Sequence, residues 1–245
     1  MQRYFLKTPV GKSFELDDDI QHHFVTVLRA VEGTKAEFVR SDHTVFIGAV
    51  SALTTEKTVI DWVNDVAVDV ELPVETTIIA GLPKGDKAEL IVQKATELGV
   101  HHIIFVPTKW SVAKWNGKEA KKVARLQKIA DGAAEQAHRT IQPVISYADN
   151  LRDLMANDYD VKIVAWEESA KQGEQSALTA AYQQLQPGNK IVAVFGPEGG
   201  LTPEEVAILS QNGYQAAALG PRILRTETAP LYWLSSLSFF LELNR

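Results

Sequence analysis

Two loops rich in glycine and proline hold the residues of this chain best suited to chemistry. "GPEGG" runs from Gly196 to Gly200, and "GPRILRTETA" runs from Gly220 to Ala229. Three glycines around a proline and a glutamate describe a tight turn whose backbone must approach something closely. The first run is not a Walker phosphate loop, because no Gly-Lys-Ser/Thr follows. Nor is it the Gly-x-Gly-x-x-Gly dinucleotide fingerprint. The competing reading is a strained connection into the helix that follows it. In the second run Thr226 or Thr228 could cap a final helix, and Glu227 could favour its dipole. Capping has no use for Arg222 and Arg225, or for Ile223 and Leu224 inside a loop. An apolar pair beside free backbone donors suits a flat heteroaromatic ring such as adenine.

Both loops follow apolar stretches that read as strands. From Thr76 the chain alternates strand and helix: "TTIIAGL", then "DKAELIVQKATELG" with Gly99 as C-terminal cap, then "HIIFVP". A long helix is expected over 119–138, with Val123, Leu126, Ala130, Ala133 and Ala137 on one side. "VKIVAW", a helix over 176–185, "KIVAVF", a helix opened by Thr202-Pro203 with Glu205, "YQAAALG" and a helix over 228–243 complete the series. Thr202 and Glu205 have capping-box spacing, and Pro203 fits the first helical position. Such alternation predicts an α/β fold, a parallel sheet with helices on both faces. Ligands then bind beyond the carboxyl ends of the strands, which singles out the two glycine loops and Trp166-Glu167-Glu168-Ser169.

The first 70 or so residues read as a small β-rich domain. Strand-like content covers 35–40, 44–51 and 57–63, with a turn at Ser41-Asp42-His43. Ile20, Phe24, Val27 and Leu28 have helical spacing, predicting a short helix packed on a small barrel. "NDVAVDVELPVE" loses periodicity, so the expected domains are 1–70 and 74–245. The 245 residues include no cysteine, which excludes disulfides and thiolate metal sites. No apolar stretch reaches membrane-spanning length and the N-terminus lacks a signal-peptide core, so a soluble cytoplasmic protein is expected. No plausible metal-ligand set is present. The net charge is −6, which argues against a generic nucleic-acid coat but allows a local basic patch. Lys109, Lys114, Lys118, Lys121, Lys122, Arg125 and Lys128 crowd one segment. They form either a solvated helix face or a phosphate-facing one.

"GPEGG" followed by "LGPRILRTETA" resembles the signature pair of the ribosomal RNA small-subunit methyltransferase E family, in the knotted SPOUT superfamily. "LPKGDKAELIVQKATELGV" looks like its first strand–helix unit, and "EQAHRTIQPVI" its Glu-Gln…Arg…Pro element. "RYFL" with "HHFVTVLRA" resembles its PUA-like RNA-binding domain, so the likeness spans the chain. It implies S-adenosylmethionine-dependent methylation of N3 of one uridine in 16S rRNA, within the 30S subunit. It also implies a homodimer and a C-terminal trefoil knot. Carried over residue by residue, the cofactor would contact Trp166, Gly196, Gly199, Gly200, Leu219, Gly220, Ile223, Leu224 and Thr228. RNA contacts are expected at Arg3, His22, Arg29, Lys84, Lys109, Ser111 and Arg139. Where the family tends to carry Arg-Ser, this chain has "PTKWSVAKW"; Ser111 remains, behind Lys109 and Trp110. Pro230 fits only the first turn of a helix, which fixes the start of the last helix near Thr228.

Methylating a uridine N3 requires an unstacked base and loss of the N3 proton. A carboxylate close to the sulfonium would stabilise the ground state more than the transition state. Glu198 and Glu227 are therefore expected to hold loop backbone, and Arg139, Arg222 and Arg225 are the candidates to stabilise a uridine anion. His138 is expected to contact RNA or cap a helix end. The alternatives are a catalytically inactive RNA-binding protein that keeps the fold, and a nucleotide-dependent phosphotransferase. The intact glycine loops argue against the former, and the missing phosphate-loop signature against the latter.

Overall fold

Short-range sequence signals account for most of the regular elements in the computed structural model, which describes residues 1–54, 57–167 and 177–243. The chain divides into two compact units. One comprises Met1–Glu71 and Glu135–Ile141, the other Leu72–Ala134 and Gln142–Arg245. The expected boundaries of 1–70 and 74–245 are corrected on one point, because Glu135–Ile141 groups with the N-terminal residues. Polar pairing explains why. Arg3, 2% exposed, donates to Glu37 and to the carbonyls of His138 and Arg139. The Glu71 carboxylate accepts from the Arg139 guanidinium and from the Thr140 and Ile141 amides. Buried polar groups must be paired, and these have found their partners in 135–141.

The first unit holds a five-stranded sheet in the order β1-β3-β4-β5-β2. The strands are β1 (Arg3–Phe5), β2 (Ser13–Glu15), β3 (Lys35–Val39), β4 (Val45–Leu53) and β5 (Thr58–Val66). β1 and β3 run parallel and the other neighbours antiparallel. Phe38, Phe46, Val50 and Ile60 pack with Tyr4 and Phe24 in its core. A Cβ on Gly48 would lie 2.4 Å from Ile60 Cγ2, so the core demands glycine there. The expected amphipathic helix is corrected. α1 covers only Asp18–Gln21 and passes into a π-helical stretch over His22–Val27, where the Leu28 amide donates to the His23 carbonyl. Ile20 and Phe24 are buried, but Val27 and Leu28 are 56% and 46% exposed. The wider turn changes the angle between successive residues, so a 3.6-residue period no longer keeps all four on one face.

The second unit is built on a six-stranded, wholly parallel sheet in the order β11-β9-β10-β6-β7-β8. These strands are β6 (Glu75–Gly81), β7 (His102–Val106), β8 (Val144–Tyr147), β9 (Val161–Ala165), β10 (Lys190–Phe195) and β11 (Gln215–Ala217). β8 is a four-residue edge strand after Pro143 and had no clear sequence signal. The helices are α2 (Lys87–Glu97), α3 (Glu119–Gln136), α4 (Ala177–Gln183), α5 (Pro203–Gln211) and α6 (Thr228–Ser238), the last continued by a π-helical turn over Phe239–Leu243. Residue 176, where the sequence predicts α4 to begin, lies outside the described residues.

Alternation along the strands sends Ile191, Ala193 and Phe195 to one face, with α2, α3, α4 and α6. Val192 and Val194 go to the other, with α5 and the 3-10 turn Leu151–Leu154. The sheet is therefore buried on both sides, as a parallel sheet requires. Among the described residues no helix is long and apolar enough to cross a membrane.

Candidate active site

A cleft of about 1060 Å³ opens at the carboxyl edge of the parallel sheet. The loops after β9, β10 and β11 form most of its wall, and Lys87 of α2 and Trp110 of the loop after β7 complete it. Backbone packing dictates the glycines. A Cβ on Gly196 would stand 2.6 Å from the Gly200 carbonyl carbon, and one on Gly81 2.6 Å from Pro197 Cδ. The Gly200 amide donates to the Pro197 carbonyl at 2.8 Å, closing a turn in which Gly200 has φ +76°. That left-handed angle favours glycine. A Cβ on Gly199 would lie 3.0 Å from Trp110 Cβ, so this glycine lets the indole close the cleft. Thr226 Oγ1 donates to the Gly196 carbonyl at 2.8 Å and ties the second glycine loop to the first.

One lysine joins both loops to α2. Lys87 Nζ lies 2.9 Å from Glu198 and 3.2 Å from Glu227. Glu198 also accepts the Lys84 amide at 3.0 Å. Burial alone would push the Glu198 carboxyl up, but the Lys87 ammonium and the Lys84 amide outweigh it and hold the group below the ordinary glutamate value. The Glu198 hydrogen bond raises the Lys87 ammonium against the opposing effect of burial, and Glu227 adds to it. Glu227 Oε2 is buried with no hydrogen-bond partner, so its contact with Lys87 is an ion pair by distance without hydrogen-bond geometry. At neutral pH Glu198 is an ionised acceptor committed to backbone and ammonium, which suits a bracing role and not a proton-abstracting one.

Glu205 performs a similar joining role nearby. Its carboxylate accepts the Thr202 amide at 2.9 Å, completing the capping box with Thr202 Oγ1, and also accepts the Lys109 amide at 2.8 Å. The start of α5 thus fixes the loop that carries Trp110.

Trp166, Gly196, Gly199, Gly200, Leu219, Gly220, Ile223 and Leu224 all line the cleft; Thr228 does not, whereas Thr226 and Ala229 do. Ile223 is 77% exposed at the rim. Arg222 and Arg225 also line the cleft, both exposed. The expected cap of the last helix is corrected. No side chain caps α6, and the Arg225 carbonyl accepts the amides of Thr228 and Ala229. Pro230 sits in the first turn, buried.

Two arginines expected at RNA are corrected as well. Arg3 and Arg139 are each 2% exposed, Arg3 held by Glu37 and Arg139 by Glu71. That commitment also removes Arg139 from the candidates for stabilising a substrate anion. His22, Arg29, Lys84 and Lys109 are exposed. Ser111 is half-buried, with its hydroxyl on Thr108. His138 Nδ1 lies 3.0 Å from Glu37. Lys87 and Trp110 were not legible as cleft residues. Lys87 looks like an ordinary exposed helix position, and the only signal for Trp110 is an indole in a short loop after a strand.

A family model described as an RNA methyltransferase domain matches residues 70–238. The chain is 41% identical over 256 aligned positions to the ribosomal RNA small subunit methyltransferase E of Bacillus subtilis, covering 100% of this chain and 99% of that one. It is 26% identical to ribosomal RNA small subunit methyltransferase E 2 of Borreliella burgdorferi, over 92% of this chain and 90% of the other. Among solved structures it is similar to a ribosomal RNA small subunit methyltransferase E from Neisseria gonorrhoeae bound to S-adenosyl methionine. That likeness has a TM-score of 0.85 and 27% identity, covering 98% of each chain.

Proposed function

The chain belongs to the ribosomal RNA small subunit methyltransferase E family, and on that premise we propose that it methylates small-subunit rRNA with S-adenosylmethionine, at N3 of a uridine. The observation that carries this reading is the cleft itself, three strand-end loops of one parallel sheet closed around glycine backbone. Its lining fits the cofactor. Leu219, Ile223 and Leu224 offer apolar contact for the adenine ring, and Gly196, Gly199 and Gly200 let the ligand approach the backbone. When bound, S-adenosylmethionine supplies an electrophilic methyl group.

The chain's own residues then have three tasks. The glycine loops orient the donor, and orientation of this kind can supply up to roughly 7–11 kcal/mol in favourable systems. Lys87 pairs with Glu198 and Glu227 across the two loops, which keeps a free carboxylate away from the sulfonium. Arg222 and Arg225, exposed at the rim, are positioned to stabilise a uridine anion or to grip its phosphate. The first unit serves as a PUA-like barrel that binds RNA, with His22 and Arg29 on its surface and Lys84, Lys109 and Ser111 contributing from the second. The final helix threads a trefoil knot, and the protein acts as a homodimer on 30S subunits, hence in the cytoplasm.

The deciding experiment is incorporation of labelled methyl into 30S particles and into naked 16S rRNA, with the modified base mapped by mass spectrometry. Methylated N3 of a single uridine is expected. Cofactor binding without methylation of any ribosomal substrate would sink the assignment and favour an inactive RNA-binding protein.

A further inference from the structure

We infer that an exposed basic stripe on α3 and the loop before it is a docking surface for the phosphate backbone of the RNA. The inference rests on the rRNA reading above and adds a surface that this reading did not use. Lys114, Lys118, Lys121, Lys122, Arg125 and Lys128 set six cations against one carboxylate, Glu119, between positions 114 and 128 of a chain with net charge −6. From Lys118 onward they recur at three- and four-residue intervals, so they share one helix face. The opposite side buries Leu126, Ala130, Ala133 and Ala134. All six cations are exposed. Among the described residues Arg125 alone has a carboxylate partner, Glu89 at 2.7 Å, while the Lys122 ammonium lies 5.4 Å from the centre of the Trp115 ring.

Helix stability does not explain this arrangement. Lys118, whose carbonyl accepts the Lys122 amide at 2.9 Å, immediately precedes the helix, and Lys121 and Lys122 occupy its first turn. Cations at that end oppose the macrodipole. Three positive charges gathered where the helix disfavours them, with Glu119 as the sole offset, point to an external anion. The platform is rigid. Trp115 is buried between Phe105 and Tyr147, with ring centroids at 5.5 and 5.3 Å, and fixes the loop from which Lys114 and Lys118 project. Topology sets the position. α3 follows β7, so its first turns lie at the carboxyl edge of the sheet, and the connecting loop carries Trp110 of the cleft wall. Exposed aromatic rings are missing from the stripe itself, so it suits phosphates and not stacked bases.

The test combines Lys118→Gln, Lys121→Gln, Lys122→Gln and Lys128→Gln in the full chain. Binding to transcribed 16S rRNA and to 30S subunits is measured across a salt series. Affinity is expected to fall at least about ten-fold near physiological salt, and the slope of log K against log salt to become shallower by about 3. KM for the RNA should rise in step. S-adenosylmethionine affinity by calorimetry should hold, and Tm should hold or rise, because the helix loses cations at its unfavourable end. An unchanged salt slope and KM would overturn the inference while leaving the methyltransferase reading intact. So would a fall in Tm with loss of cofactor affinity, which marks a structural stripe. Retained rRNA affinity with lost binding to polyglutamate would reassign the surface to an acidic protein. A wild-type chain that neither binds nor methylates rRNA would overturn the reading and the inference together.

Discussion

At the residue scale, the glycines of the first loop do three different jobs. Gly196 gives way to backbone: an added methyl would meet the Gly200 carbonyl carbon at 2.6 Å. Gly196→Ala should therefore cost about 1–3 kcal/mol through overpacking and weaken S-adenosylmethionine binding more than ten-fold. Gly200 has open space around its Cβ position but a φ of +76°. Gly200→Ala should cost about 1–2 kcal/mol and leave the cleft its shape. Gly199→Val must push Trp110 out of the wall and abolish cofactor binding. Urea melts and calorimetry on the three variants check this order, and Gly196→Ala with wild-type cofactor affinity would break the assignment of the loop. The glycines were visible in the sequence as a cluster, but their division of labour was not, because it depends on Trp110 and on a turn closing back upon itself.

Elements carry the next level of organisation. The capping box of α5 was legible because Thr202 and Glu205 are three residues apart and the bonds are local. Its second use was not: Glu205 also accepts the amide of Lys109, 96 residues earlier in the chain. Thr202→Ala should cost about 1 kcal/mol, the usual loss for a cap. Glu205→Ala should cost a similar amount and in addition release the loop bearing Trp110. The expected outcome is a clear loss of cofactor affinity for Glu205→Ala and little for Thr202→Ala, read by isothermal titration. Equal losses would uncouple the cap from the cleft. The last helix runs the other way. Thr226 and Thr228 look like caps in the sequence, yet the Thr226 hydroxyl serves the Gly196 carbonyl. A loop contact outcompeted the local option, which a sequence pattern cannot foresee.

For the whole molecule, the Glu71 carboxylate is a hub of the first unit. Burial pushes its pKa up, but the Arg139 guanidinium and the amides of Thr140 and Ile141 outweigh that and hold it below the ordinary glutamate value. A depressed folded-state pKa means stability that is fully present above the unfolded pKa and lost as pH falls through the folded one. Glu71→Ala leaves the Arg139 charge buried and should cost about 3–5 kcal/mol near neutral pH. The gap to wild type in urea melts should shrink as pH drops below the usual carboxylate range, and a gap independent of pH would refute this role. The same hub shows what each level of description could deliver. Apart from the edge strand β8, the sequence by itself determined the α/β order of the second unit, the strand-end loops and their glycines, because periods, caps and turns are written within a few neighbouring residues. Only the tertiary structure decided which charges are buried and which face solvent. Arg3 and Arg139 read as basic and available, but their partners lie 34 and 68 positions away. Lys87 meets Glu198 across 111 positions. Such pairings are set by the packing of the whole chain, where the cost of burying an unpaired charge selects the partner.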